Sequence, residues 1–545
     1  MLLCIKTNLL KQLVKLFLSV LIIILATSNC ARRGIPNGGL KDSIPPVLVS
    51  ANPPYKSILF SEKKIKIYFD EYVNLKDVNQ QLIISPPLKY PPVITPLGSP
   101  SKVITIKLSD TLLPNTTYTI NFGNSISDNN EGNKLPGFKY VFSTGDYIDS
   151  LSVRGRVKDA YTKKTEENIS VLLYKITSDF YDSIIYQKKP DYYTSTLDTT
   201  LFEITNVSKG AYLLVALKDV YNNVLFNPTE DKIGMISQPI ELPKDSLILS
   251  PIKLFKETAN YQIYRPQEIS KGHLIFGYEG SPSNVTIEEL YSKNSTFKSI
   301  FKQDANKDTI HYWFNNFKKD SLLFKVTNGE HIDTLKIRLR SNILDSLKIN
   351  SNASNVLHLR DTFQLTSNNP VVKIDPSKIS FTNKDSLSIK FKPHIHTTNN
   401  TISIVFDKKH TTSYKVQFFP GALTDLHQTT NDTLTYRFST RKLEDYGSIS
   451  LEINKQVKSP LIVELLEENR QEVLHKEIVA TSTTVTFNLL PPGKYSVRII
   501  IDENNNQKWD TGSYLRKLFP EKVIYHPVIF DVRPDWHFPE KITIN

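Results

Sequence analysis

Cysteine is almost absent: Cys4 and Cys30 are the only two in 545 residues. That excludes a disulfide-stapled scaffold and a thiolate metal cluster, so any fold must be held by packed cores. Glycine is scarce at 19 residues, and no glycine-rich phosphate loop occurs. A nucleophile elbow, motif-paired carboxylates and clustered histidines are also missing, so the sequence points to a non-enzymatic protein. Long hydrophobic runs are missing too. The only sustained one, Leu16 to Ala26, is broken by Ser19 and as a helix covers about 16 Å of a ~30 Å hydrocarbon core.

What is present begins with that short run. Lys6, Lys11 and Lys15 precede it, and Thr27, Ser28 and Asn29 lead from it into Cys30. A charged segment followed by a short apolar one is the pattern of a secretory signal. This stretch resembles a bacterial lipoprotein signal, which implies removal of residues 1–29 and lipidation of Cys30. Asn29 departs from the commoner Gly or Ala before the cysteine. Several acyl chains on Cys30 would give a durable anchor in the outer membrane. Residues 30–43, with Gly34, Pro36, Gly38 and Gly39, read as a tether. The same resemblance implies a membrane face: acidic residues after the cysteine mark surface export in such lipoproteins, so Arg32 and Arg33 lean toward the periplasmic face, with the cell surface as the alternative.

Proline is plentiful at 31, and Tyr and Phe number 26 and 27. Runs such as "KKIKIYFDEY" (63–72), "KVITIKL" (102–108) and "TVTFNLL" (484–490) alternate apolar and polar residues between turn signals. Period-two runs at such spacing predict an all-β chain of tandem β-sandwiches. The formal charge of +12 comes from lysines spread along strands, which argues against nucleic acid and for a solvated lysine face. Contact with acidic lipopolysaccharide or glycans is the other reading of that charge.

Comparing the chain with itself reveals a duplication. Tyr118 to Phe142 and Tyr414 to Phe438 are both 24 apart, and Tyr212 to Asp219 and Tyr495 to Asp502 are both 7 apart. Two different modules therefore occur twice in the same order, an internally duplicated array. Residues 44–145, with "PPVLVSANPP", "IKIYFDEYVN", "LLPNTTYTINF" and "FST", resemble a bacterial Ig-like domain, and 346–441 resemble a diverged copy. Residues 150–256 and 445–545, with "SKGAYLLVALKD" and "PPGKYSVRIIID", resemble transthyretin-like, carboxypeptidase-regulatory-like sandwiches. Residues 257–345 are strand-rich and read as a further sandwich.

The whole resembles the multidomain Ig-like lipoproteins of Bacteroidota. That resemblance implies a rod-like chain of five sandwiches, tethered by Cys30 to the outer membrane. It would act as scaffold or accessory subunit of a β-barrel assembly or transport complex, with a β-barrel protein or other lipoproteins as partners. The alternative is a stand-alone surface binding protein for glycan or protein; only Trp313, Trp509 and Trp536 are available to stack on sugars.

Three patterns could carry chemistry. In "DENNNQKWDTG" (502–512), Asp502, Asn504, Asn506 and Asp510 fall at positions 1, 3, 5 and 9 of a calcium loop. Gln507 stands where the turn glycine belongs and Ser513 where a bidentate carboxylate belongs, and a polar hairpin explains the same residues. His394 and His396 share one face of a strand with no third ligand nearby, which suits exposed histidines better than a metal site. Recurrent Asp-Ser and Asp-Thr pairs before an apolar residue, as at 42, 110, 149 and 245, resemble O-glycosylation acceptors of exported Bacteroidota proteins. Hairpin turns explain them equally.

Overall fold

A computed structural model describes residues 42–282, 284–290, 297–304, 307–315 and 320–545. The expected signal, Cys30 and all but the end of the tether lie outside the described residues. The described chain is β throughout, relieved by one four-residue helix, Val78–Gln81, and three 3-10 turns. The expected array of tandem β-sandwiches is what the chain forms.

The chain divides into two compact units. One holds residues 42–82 together with Tyr90–Leu112 and Ile120–Phe142. Its sheet runs in the order Leu48–Asn52, Lys64–Leu75, Ser101–Lys107, Val93–Thr95. Strand Lys64–Leu75 turns Ile65, Ile67 and Phe69 inward and leaves Lys64 and Asp70 exposed, as strict alternation requires. Ile67 pairs directly with Ile104 and Ile65 with Ile106, all four fully buried. A one-residue slip would turn all of them to solvent, so the register is fixed by burial. Phe122, Phe138 and Phe142 close over this face, with Phe60 and Phe142 centroids 4.0 Å apart.

The other unit holds Ile83–Lys89, Leu113–Thr119 and Ser143–Asn545. Two of its sandwiches, 151–255 and 447–544, share an unusual arrangement. In each the last strand returns parallel to the first: Ile252–Phe255 beside Leu151–Asp159, and His537–Ile544 beside Gly447–Lys455. The central strand is Gly210–Lys218 in one and Gly493–Ile501 in the other, and each pairs near its start with a short late strand, Ile240–Leu242 or Phe530–Val532. Tyr212 donates its hydroxyl to the Ser208 carbonyl (2.9 Å) and Tyr495 to the Pro491 carbonyl (2.7 Å), four residues upstream in both cases.

Between them, residues 262–338 form two sheets whose facing side chains include Phe276, Tyr312 and Phe324 at centroid distances of 5.1–6.1 Å. Residues 349–439 form another cluster around Phe363, Phe381, Phe406 and Phe438. Where these two stretches meet, Asn315 donates to the Leu426 carbonyl at 3.3 Å. Nearby, His273, His311 and Trp313 stack, with His273 Nε2 3.0 Å from His311 Nδ1.

Burial pushes the His273 imidazole down to about 4 and lowers His311 and His427 as well. These groups are neutral when folded, whereas the unfolded chain takes up protons below about pH 6.5. The His273 contribution is therefore complete above about pH 6.5 and is lost as the pH falls toward about 4, with His311 and His427 acting in the same direction. Thermal melts between pH 7.5 and 4.5 are expected to show a falling midpoint, with a shallower fall in His273→Phe. A flat profile would contradict the assignment.

Candidate functional site

The strands Ser170–Lys175 and Gly210–Lys218 are apolar at nearly every position, not at alternate ones. Such strands must be covered on both faces. One face, with Val171, Leu173, Tyr212 and Leu214, packs inside the 151–255 sandwich. The other, with Leu172, Tyr174, Val215 and Leu217, forms a second cluster that includes Tyr514 of the C-terminal sandwich. Tyr514 is fully buried there. Its hydroxyl donates to the Asp182 carbonyl (2.9 Å), and its amide donates to Glu257 Oε1. Its ring lies 6.4 Å from Tyr186 and 6.5 Å from Phe226. Burial raises the Tyr514 hydroxyl pKa, so it remains a donor.

The loop that delivers Tyr514 lies close against its partner. Thr511 Oγ1 donates to the Lys256 carbonyl at 2.6 Å, and Lys517 pairs with Asp182 at 2.7 Å. A Cβ on Gly512 would lie 2.7 Å from the Phe255 ring and 2.6 Å from the Leu518 carbonyl, so only glycine fits.

A second set of contacts lies on the C-terminal sheet itself. "LIVELL" (461–466) and "YSVRIII" (495–501) each carry one charge within an apolar run, and the register sets Glu464 directly opposite Arg498. Their side chains are 8% and 4% exposed, joined at 2.7 Å. Arg498 then reaches the 151–255 sandwich: its guanidinium donates to the Tyr161 hydroxyl (2.7 Å) and lies 4.0 Å from that ring's centroid. Tyr525 accepts from Arg498 at 3.2 Å and donates to the Tyr161 carbonyl at 2.9 Å. The Trp509 ring lies 4.6 Å from that of Tyr161, tilted by 39°. Two sandwiches whose contacting residues lie 255 or more positions apart in sequence are therefore docked on each other. Neither sandwich is the other's neighbour in the chain, so this contact is one that domain order alone does not supply.

The four candidate calcium ligands are brought together, but their oxygens are already engaged. Asp502 is fully buried and accepts from the backbone N–H groups of Asn506 (3.1 Å) and Gln507 (2.8 Å). Asp510 Oδ2 accepts from the side-chain amides of Asn504 and Asn506, both at 2.6 Å. Glu521, which no spacing rule singled out, ties the loop across its base by accepting from Glu503 and Asp510 amides at 2.7 and 3.0 Å. Burial raises the Glu521 carboxyl pKa, and Asp510 and Asp502 add to the shift. Gln507 takes φ 62°, the left-handed conformation a glycine would occupy at no cost. Among the described residues no group of three or more His, Cys, Asp or Glu is placed to hold a metal ion.

This loop carries Trp509 and Tyr514 to the neighbouring sandwich. Calcium at these oxygens would compete with the side-chain amides of Asn504 and Asn506 for Asp510 Oδ2. Titration with calcium is accordingly expected to leave Trp509 fluorescence and the unfolding midpoint unchanged. A saturable rise in both would restore the calcium assignment. His394 and His396 are exposed on one face of strand Phe391–His396, and His396 Nε2 lies 3.0 Å from Ser403 Oγ.

Residues 42–144 match the bacterial Ig-like domain family. The protein is thus an all-β array that carries a bacterial Ig-like domain. In the Ig-like domain the Leu113 amide donates to the Tyr118 hydroxyl at 2.8 Å, and the same bond recurs 296 residues later from Lys409 to Tyr414 at 2.9 Å. Residues 443–516, which include Glu464, Arg498 and Tyr514, match a family of uncharacterised proteins conserved in bacteria. No curated protein matches the chain.

Among solved structures, domains 1–6 of the surface layer protein SbsC are 12% identical over 90% of this chain and 67% of that one, with a TM-score of 0.16. The Bacillus anthracis TIE protein is 10% identical over 93% of this chain and 76% of that one, at 0.15. Titin domains A168–A170 are 11% identical over 45% and 93%, at 0.13. At such scores none of them bears on what this chain binds.

Proposed function

We propose that the protein is a non-enzymatic lipoprotein, anchored to the outer membrane through Cys30, that serves as scaffold or accessory subunit of an outer-membrane complex. A β-barrel protein or further lipoproteins would be its partners. The observation that supports this reading is the docking of residues 509–517 and Arg498 onto the 151–255 sandwich. A freely jointed string of sandwiches loses entropy whenever it holds a partner in one geometry. Docking removes part of that freedom beforehand, which suits a scaffold. The aromatic inventory favours protein over sugar as partner: Trp313 is buried, Trp509 is engaged with Tyr161, and Trp536 alone is about half exposed.

Affinity purification of the tagged full-length protein from mildly solubilised outer membranes tests the reading. A β-barrel protein or other lipoproteins in near-equal amount are expected, and Cys30→Ser should abolish both membrane retention and incorporation of labelled palmitate. Recovery of the protein alone would overturn the stable-subunit reading in favour of a stand-alone surface binding protein.

A further inference from the structure

We infer that the outer face of the sheet formed by Ile379–Asn383, Ser413–Phe418 and Leu434–Ser439 binds an anionic ester group, a phosphate or sulfate carried on a sugar or a lipid headgroup. The register decides which side chains share that face. Phe381, Val416 and Tyr436 align across the three strands, as do Thr382, Lys415 and Arg437. Phe381 and Val416 belong to the core, with Tyr436 packed against it, so the row of Thr382, Lys415 and Arg437 stands on the opposite side and cannot slip.

Lys415 and Arg437 are therefore set directly opposite each other. Like charges in that relation disfavour the strand pair, and among the described residues neither makes an ion pair. Lys384, on the adjoining hairpin, adds a third cation. All three line an open cleft of about 620 Å³ whose other walls are Ser, Thr and Asn side chains with Tyr414 and Phe438 beneath. No carboxylate lines it. A fork of guanidinium donors, two ammonium groups and surrounding hydroxyls suits a tetrahedral oxyanion. An anion there would turn the repulsion between Lys415 and Arg437 into a shared attraction.

Like-charged rows also occur without a cleft, as where Lys64 faces Lys107 in the other unit. That pair supplies the control. The test uses the detergent-solubilised full-length protein, titrated calorimetrically with glucose 6-phosphate and with inorganic pyrophosphate. Parallel binding is measured to vesicles of phosphatidylcholine with and without phosphatidylglycerol. Lys415→Gln with Arg437→Gln should weaken binding about tenfold or more, while Lys64→Gln with Lys107→Gln, an equal change of charge, should alter it less than about twofold.

Loss confined to the soluble phosphates would identify a sugar ester as the source, and loss confined to the vesicles a lipid headgroup. Equal losses in the two double variants, or no saturable binding of either class up to about 10 mM, would overturn the inference. Arg437 is exposed and Lys415 only part-buried, so folding of the variant is not at issue and circular dichroism suffices to check it.

Discussion

Replacing Tyr514 with alanine is expected to destabilise the docked pair of sandwiches by about 3–5 kcal/mol, the usual range for deleting a fully buried large aromatic. The ring lies inside the second cluster of the 151–255 sandwich, where it meets Phe226 and Tyr186, with Trp509 packed against the same cluster. Its loss would open the outer faces of Ser170–Lys175 and Gly210–Lys218 to water. Tyr514→Phe keeps the ring and forfeits only the bond to the Asp182 carbonyl, a change of about 1 kcal/mol. Because an array of sandwiches does not unfold in one step, hydrogen exchange is the suitable readout. Amides of 170–175 and 210–218 should exchange much faster in the alanine variant and nearly normally in the phenylalanine one. Unchanged exchange in Tyr514→Ala would show that the cluster is complete without the loop.

Arg498→Met should be as damaging, for a different reason. It leaves Glu464, 6% exposed as a residue, without its cation, and removing one partner of a buried pair typically costs about 3–5 kcal/mol. It also deprives the Tyr161 and Tyr525 hydroxyls of their shared donor. The paired change Glu464→Leu with Arg498→Met removes the stranded charge, so stability should return to within about 1 kcal/mol of the wild type or exceed it. A double-mutant cycle read by hydrogen exchange of amides in 461–467 and 493–501 measures this. If the two single losses simply add, the residues are not coupled and the pair contributes nothing specific to docking.

The matching position in the other copy carries no such pair. Strand Ser170–Lys175 and strand Gly210–Lys218 present Leu172 and Val215 on the corresponding face. One sandwich therefore offers an apolar face and the other a charged pair, and each is covered by groups of the other or of its own loops. This asymmetry favours pairing of unlike copies over pairing of like ones, since two faces bearing buried charge would strand them.

Much of this fold was legible as pattern. Alternation in "KIKIYFD" places Ile65, Ile67 and Phe69 in the core, and the paired spacings around Tyr118, Tyr414, Tyr212 and Tyr495 reflect hydrogen bonds repeated in both copies. The docking was not legible. "SVLLYK" and "YSVRIII" show that both faces are buried but not by what, because periodicity reports burial and not the identity of the covering surface. Tyr514 sits in a polar loop 332 residues from its acceptor on Asp182, and no local rule reaches that far. Asp502, Asn504, Asn506 and Asp510 fit a calcium loop by spacing and a polar hairpin by composition. The same oxygens satisfy backbone and amide N–H groups, which sequence spacing does not distinguish from coordination.

The central claim is that the loop 509–517 docks on the 151–255 sandwich. Zero-length carbodiimide crosslinking of the intact protein, read by mass spectrometry, tests it most directly. Lys517 Nζ lies 2.7 Å from Asp182 Oδ1, and the pairs Lys232–Glu166 (2.7 Å) and Lys541–Glu452 (2.9 Å), each within one sandwich, serve as internal standards. A crosslinked peptide pair joining Lys517 to Asp182, formed within single molecules at a yield comparable to the standards, is the predicted result. Recovery of both standards without that link would contradict the docked arrangement.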